Sequence, residues 1–155
     1  MQLNYFNLIF IYSIFGPNKR PFIYQEVIDL GGEPIKNTDY TSLGRVTEFK
    51  YGARLSEVVL KHNGQKMSYL KNFGTGWGFI SGEDSLAFVD NHDNQRGHGG
   101  GGQILTYFES RLYKIANAFM MAWPYAFVQI MSSYNFVKSQ DWQGPPSNGI
   151  KSYFI

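Results

Sequence analysis

The feature that most constrains the fold is a run of apolar residues that ends abruptly in polar side chains. Leu86-Ala87-Phe88-Val89 has the composition of a buried β-strand, and Asp90-Asn91-His92-Asp93-Asn94-Gln95-Arg96-Gly97-His98 follows it directly, before glycine at positions 99–102. In a parallel α/β protein, side chains at the carboxyl ends of strands line the edge where chemistry is usually placed. One such residue alone is typical of a loop or a helix cap, but this density of functional groups favours a site.

Strand-like and helix-like patterns alternate along the chain. Segments typical of strands cover Pro21–Ile28, Gly44–Phe49, Leu86–Asn91 and Tyr125–Met131. Helical periodicity covers Arg54–His62 and Gln103–Met121, and the second helix is expected to end before Pro124. Its predicted apolar face comprises Ile104, Phe108, Leu112, Ile115 and Phe119. This alternation predicts an α/β fold with a parallel sheet.

Length and composition exclude several classes of protein. The chain has 155 residues, which suffices for one domain with a hydrophobic core. Its net charge of +2 comes without a basic run, so no nucleic-acid partner is expected. The absence of cysteine excludes disulfides, cysteine-based zinc sites and thiol nucleophiles. No apolar stretch is long enough to predict a membrane helix.

A second carboxyl group stands out at the end of the first apolar segment. Glu26 is flanked by Tyr24, Val27 and Ile28, and such surroundings raise the pKa of a carboxyl group by desolvation, as a proton donor requires. Asp93 follows hydrogen-bond donors that are expected to keep it ionised. Glycoside hydrolysis commonly uses two carboxyl groups in such contrasting states. We therefore expect the two strand ends to share one mouth.

Two of these stretches resemble signatures of animal α-amylases, in the α-amylase family of glycoside hydrolases. Residues 88–98 resemble the strand-seven signature, and Pro21-Phe22-Ile23-Tyr24-Gln25-Glu26-Val27-Ile28-Asp29-Leu30-Gly31-Gly32-Glu33 resembles the strand-five signature. The resemblance implies a (β/α)₈ barrel of the TIM type. This chain would supply strands five to eight, because a complete barrel needs about 250 residues.

The resemblance also divides the chain. Residues 18–148 would be the partial catalytic barrel, whereas residues 1–17 and 149–155 do not resemble the family. We interpret residues 1–17 as translated non-coding sequence from an incomplete gene model. A signal peptide is the alternative, although the apolar Leu8–Tyr12 lacks a basic start and a small-residue cleavage site.

The resemblance implies a role for each matched residue. Glu26 would be the general acid/base and Asp93 the transition-state stabiliser, while His92, His98 and Glu33 would contact the substrate. The implied activity is endo-acting, retaining hydrolysis of α-1,4-glucosidic bonds in starch and glycogen. The full-length protein would be secreted and monomeric, with an α-glucan as its partner and neither nucleic acid nor membrane.

The resemblance further implies two ions in the full-length protein. Calcium is expected there, but its ligands lie in the family's first half and none is expected here. Asn91 and Gln129 match two positions of the family's chloride site, and Gln129 replaces the usual arginine. Chloride is therefore not expected to be required, because glutamine carries no positive charge.

One departure from the family affects activity, and two other functions stay open. The family's nucleophile lies in a Gly-Phe-Arg-x-Asp motif that this chain lacks, so we expect the chain alone to be inactive. One alternative is a non-catalytic, carbohydrate-binding pseudoenzyme. The other is a metal-dependent hydrolase that uses Asp90, His92, Asp93 and His98 as ligands. The second is disfavoured because Asp90 and His92 would share a strand face from which Asp93 points away.

Overall fold

The computed structural model describes residues 21–100 and 102–144, which form a four-stranded parallel sheet with two helices. The strands lie in the order β1 (Tyr24–Gln25), β2 (Arg45–Thr47), β3 (Ser85–Ala87) and β4 (Phe127–Val128). The helices are α1 (Phe49–Leu60), between β2 and β3, and α2 (Ser110–Ala122), between β3 and β4. Short 3₁₀ turns occupy Asn37–Tyr40, His62–Gly64, Met67–Asn72, Thr75–Trp77, Asn94–Arg96 and Tyr107–Glu109. The predicted α/β fold with a parallel sheet is confirmed.

The strands are shorter than the segments that were predicted as strands. Tyr24 pairs with Arg45, and the Val27 amide then donates to the Thr47 hydroxyl at 2.8 Å instead of to a backbone carbonyl. The same hydroxyl is 3.1 Å from the Val27 carbonyl. The side chain of Thr47 thus replaces the backbone ladder between β1 and β2, which ends β1 after two residues.

Both helices begin at positions that differ from the prediction, and capping residues explain why. Helix α1 begins five residues before Arg54, because the carboxylate of Glu48 accepts the Lys50 amide at 3.1 Å. Helix α2 begins after a capping box of Thr106 and Glu109, so the predicted start at Gln103 is wrong. This box can be recognised in the sequence as threonine followed three residues later by glutamate.

The buried face of α2 matches the predicted one only in part, because Leu112 and Phe119 pack against the core but Ile115 does not. Ile115 is 44% exposed, whereas the next residue, Ala116, is completely buried. Asn117 and Met120 are buried with Ala116 against the sheet. Alanine gives little signal in an apolar pattern, so the periodicity favoured the larger neighbouring side chain.

The hydrophobic core lies between one face of the sheet and the two helices. Ala87 and Val89 contribute from β3 and its extension, and they pack with Leu55 and Val58 of α1 and Met120 of α2. All five side chains are almost completely buried. Among the described residues, no helix combines the length and the apolar character that crossing a membrane requires.

The opposite face of the sheet is concave, and neither of the two helices packs against it. Phe22 precedes β1 and Phe127 lies in β4, at opposite edges of the sheet, yet their ring centroids are 5.0 Å apart. The Arg45 guanidinium lies 4.0 Å from the centroid of Phe127. Both phenylalanines are half exposed. The sheet is therefore strongly curved, with an aromatic layer on its concave side.

Helix α1 approaches the end of β3 closely at Gly52, so a larger residue there is expected to destabilise the fold. A Cβ added at Gly52 of α1 would lie 2.4 Å from the Val89 carbonyl oxygen and 2.9 Å from that of Phe88. Because these are backbone atoms, we expect Gly52→Ala to lower the free energy of unfolding by about 1–3 kcal/mol. Urea unfolding of the full-length protein measures this. Gly32→Ala is the control, since no atom lies within 4 Å of its added Cβ, and equal stability of the two variants would contradict the packing described.

Candidate active site

A cavity of about 350 Å³ opens on the concave face at the carboxyl ends of the strands. Its polar lining comes from residues at the ends of all four strands: Glu26, Thr47, Asp90, Asn91, His92 and Gln129. Because all four strands are parallel, each one delivers side chains to this same end. The cavity therefore lies at the end of the sheet where the sequence predicted functional side chains.

A hydrogen bond joins the two polar stretches that the sequence singled out. Asn91 Nδ2 donates to Glu26 Oε1 at 3.2 Å, across 65 positions of sequence. Glu26 follows β1 and Asn91 follows β3, so the contact spans the concave face over β2. The expectation that the two strand ends share one mouth is confirmed by this geometry.

The expected burial of Glu26 is wrong. Glu26 is exposed, as are Tyr24 and Ile28 beside it, and only Val27 of its apolar neighbours is buried. The reason is that β1 is an edge strand and that the concave face is uncovered in the described part of the chain. The apolar neighbours of Glu26 therefore do not shield its carboxyl group from solvent.

A hydrogen-bonded turn after β3 brings His92 and Asp93 side by side. Asn91 Oδ1 accepts the amides of Asp93 and Asn94 at 3.1 and 2.8 Å, and Asn94 Oδ1 accepts the Asn91 amide at 2.7 Å. His92 Nε2 lies 3.5 Å from Asp93 Oδ1. The expected opposite orientation of these residues is wrong, because β3 ends at Ala87 and strand alternation no longer applies.

Three side chains converge at the mouth of the cavity. Glu26, His92 and Asp93 each offer one nitrogen or oxygen atom, and these three atoms lie within 4.8 Å of one another. His92 is the one partner described near the Asp93 carboxylate, so the several donors expected around Asp93 are not found among the described residues. The trio combines two carboxyl groups and an imidazole.

The trio does not match the metal sites considered from the sequence. Of the four ligands that a metal-dependent hydrolase would have used, only His92 and Asp93 lie together, because Asp90 and His98 bond to other partners. Calcium takes six to eight oxygen ligands, and one imidazole with two carboxylates does not fit it.

Asp90 lies behind the mouth in a buried network. It is 2% exposed, and it accepts hydrogen bonds from the Tyr113 hydroxyl at 2.7 Å and from Gln95 Nε2 at 2.8 Å. Burial raises the pKa of Asp90, although these hydrogen bonds act in the opposite direction. Tyr113 belongs to α2, so the network ties that helix to the end of β3 and supports the turn that carries His92.

The buried glutamate of this chain is Glu48 rather than Glu26. Glu48 is fully buried, and its carboxylate accepts the amides of Lys50 and Ile80, each at 3.1 Å. Burial raises the pKa of Glu48 above its ordinary value. The local sequence gives no signal for this burial, because Arg45 and Thr47 are polar residues of the same predicted strand. The residue caps α1 and anchors the loop before β3.

Glu33 and His98, the other predicted substrate contacts, do not line the cavity. One carboxylate oxygen of Glu33 accepts the amides of Leu30, Gly31 and Gly32 at 2.8, 3.1 and 3.0 Å, which closes the loop after β1. These hydrogen bonds, led by that from Leu30, lower the pKa of Glu33. His98 Nε2 lies 2.8 Å from Asp141 Oδ2.

Comparison with known proteins identifies the relatives of this chain. The pancreatic α-amylase of Homo sapiens is 60% identical over 142 residues, which are 86% of this chain and 28% of that protein. The pancreatic α-amylase of Sus scrofa is 61% identical over the same shares. The structure of wild-type α-amylase I from Eisenia fetida matches with a TM-score of 0.81 at 57% identity, over 90% of this chain and 30% of that one.

No protein-family model matches the chain, so its relationship is inferred from individual proteins and structures. The chain spans less than a third of the length of each relative described. A variant of the Eisenia fetida enzyme has also been solved in complex with maltohexaose. Over most of its length, this chain is therefore homologous to animal α-amylases, which are glycoside hydrolases.

Proposed function

We propose that this chain forms strands five to eight of an α-amylase barrel and supplies part of its catalytic site. In a protein of the relatives' length, it would serve endo-acting, retaining hydrolysis of α-1,4-glucosidic bonds in starch or glycogen. The observation that carries the proposal is the convergence of Glu26, His92 and Asp93 within 4.8 Å. The 60% identity to a pancreatic α-amylase supports the substrate class.

In this proposal Glu26 is the proton donor. Its Oε1 is held by Asn91 Nδ2 at 3.2 Å, which leaves Oε2 free to carry the proton to the leaving glycosidic oxygen. Glu26 is exposed in the described part of the chain, so the bound α-glucan and the remaining strands would provide its desolvation. The same carboxylate would then accept a proton from the water that completes hydrolysis.

Asp93 and His92 would act on the sugar ring beside the scissile bond. Hydrolysis passes through a transition state in which positive charge develops on the ring, and a nearby carboxylate stabilises that charge. Asp93 supplies this negative charge, and His92, with its Nε2 at 3.5 Å from Asp93, supplies a donor for a sugar hydroxyl. Neither residue is assigned as the nucleophile. That aspartate would lie outside this chain, which has no Gly-Phe-Arg-x-Asp motif.

The full-length protein that contains this segment tests the proposal. We expect it to release reducing ends from soluble starch and glycogen, and none from cellulose, whose linkages are β-1,4. A full-length protein that binds starch without cleaving it would support the pseudoenzyme instead. We also propose that this protein is secreted and holds calcium, with the calcium ligands outside residues 18–148.

Gln129 predicts a weak response to chloride. It lines the cavity together with Glu26 and Asn91, at the position where the family's arginine is expected. An anion bound there would lack the fixed positive charge that offsets its desolvation. We therefore expect the full-length enzyme to be active without chloride and Gln129→Arg to create a chloride response.

The measurement is activity against chloride concentration, with acetate replacing chloride at constant ionic strength. Gln129→Met is the matched control, because it alters the same side chain without adding charge and should create no response. Strong activation of the unmodified enzyme by millimolar chloride would refute this prediction.

A further inference from the structure

Glu26 lies just beyond the paired part of β1, where the regular ladder no longer fixes its backbone. The pairing of β1 with β2 ends at Gln25 and Val46. β1 is also an edge strand, so β2 is the one strand described beside it. The position of the Glu26 carboxyl group therefore depends on contacts other than the regular sheet.

A single hydroxyl group contacts both peptide groups of Glu26. The Thr47 hydroxyl accepts from the Val27 amide, which belongs to the peptide after Glu26, at 2.8 Å. The Gln25 carbonyl belongs to the peptide before Glu26, and its oxygen lies 3.5 Å from the same hydroxyl. The Val27 carbonyl is nearer, at 3.1 Å, so the one hydrogen of the hydroxyl has two backbone acceptors. Thr47 thus bridges the backbone on the two sides of Glu26.

Thr47 itself is firmly anchored in the inner strand β2. The amide of Val46, just before it, donates to the Asp84 carbonyl at 2.8 Å. The amide of Glu48, just after it, donates to the Leu86 carbonyl at 3.0 Å. Thr47 lines the cavity but is only 5% exposed, and its hydroxyl is already bonded to the backbone of the chain. The hydroxyl is therefore a fixed point for the end of β1 rather than a contact for a ligand.

We infer that Thr47 is a positioning residue whose hydroxyl fixes the backbone of Glu26 for proton donation, an inference that rests on the proposed function. Asn91 Nδ2 holds the other end of the same residue, the carboxyl group, at 3.2 Å. A proton donor must lie within hydrogen-bond reach of the oxygen that departs. A displacement of about 1 Å is enough to cost about 10²-fold in rate, so both holds matter for catalysis.

Removal of the hydroxyl from the full-length protein tests this inference. We expect Thr47→Val, which keeps the branched shape, to lower kcat for maltohexaose by about ten- to a hundredfold. KM should change little, because the hydroxyl bonds to the backbone and not to the substrate. Thr47→Ser keeps the hydroxyl and should restore most of kcat. The control is Thr41→Val in the turn before β2, which removes a hydroxyl that donates to the Thr38 carbonyl at 3.1 Å.

Two comparisons separate the positioning of Glu26 from a general loss of structure. In a Glu26→Gln background, Thr47→Val should cause no further loss, because its action passes through Glu26. With α-maltotriosyl fluoride, whose leaving group needs little help from a proton donor, kcat/KM of Thr47→Val should stay close to that of the wild type. A wild-type kcat in Thr47→Val, full additivity with Glu26→Gln, or an equal loss with the fluoride would overturn the inference.

Amide hydrogen exchange distinguishes failure of this inference from failure of the proposed function. We expect the Val27 amide to be protected in the wild type and in Thr47→Ser, and to exchange much faster in Thr47→Val. A Val27 amide that exchanges in the wild type as fast as in an unstructured peptide would overturn the inference, even if Thr47→Val does not fold. The expected exchange pattern in a protein that cleaves no α-glucan would contradict the proposed function and uphold the contact made by Thr47.

Discussion

Replacing Glu26 with glutamine is expected to reduce starch hydrolysis by the full-length protein about 10²–10⁴-fold, the usual contribution of a general acid–base residue. Glutamine retains an oxygen that can accept from Asn91 Nδ2, so the 3.2 Å contact across the mouth should persist. It has no acidic proton for the leaving oxygen. We therefore expect kcat to fall while KM changes little, measured as reducing ends released from soluble starch.

Glu83→Gln is the matched control for this substitution. Glu83 is an exposed glutamate that precedes β3, at the amino end of the sheet and away from the catalytic mouth. Its replacement changes the net charge equally and should leave kcat unchanged. An activity of Glu26→Gln comparable to that of the control would show that Glu26 is not the proton donor.

The 155-residue chain by itself is expected to show no starch hydrolysis. It lacks the nucleophile motif, and a missing nucleophile cannot be replaced by Glu26 or Asp93 in their assigned roles. The edge strands β1 and β4 and the half-exposed Phe22 and Phe127 should also favour self-association. The measurement compares reducing ends released by the purified chain and by the full-length protein at equal molar concentration. Turnover by the chain alone comparable to that of the full-length protein would contradict this expectation.

The convergence of the strand ends could be predicted from the sequence, because it depends on topology alone. Alternating strand and helix patterns require parallel strands, and parallel strands place Glu26 and Asn91 at the same end of the sheet. The same reasoning failed for His92 and Asp93, since it assumed that strand alternation continued beyond Ala87. The hydrogen bonds of the Asn91 and Asn94 side chains instead set their orientation.

Burial and long-range partners could not be predicted from local pattern. Glu26 and Glu48 both lie in segments predicted as strands, yet Glu26 faces the uncovered concave side and Glu48 is fully buried. Which of the two is desolvated depends on what covers each face of the sheet, a property of the tertiary fold. The pairing of His98 with Asp141 is equally invisible, because 43 residues of irregular spacing separate the partners.

The most direct test of the central claim is the configuration of the first product released from maltohexaose by the full-length protein. In ¹H NMR spectra recorded during the reaction, we expect the α-anomer to appear first and the β-anomer to accumulate only by mutarotation, as retention requires. The Glu26→Gln variant should produce neither on the same timescale. Initial release of the β-anomer, or no cleavage of maltohexaose by the wild-type protein, would contradict a retaining α-glucan hydrolase built on Glu26 and Asp93.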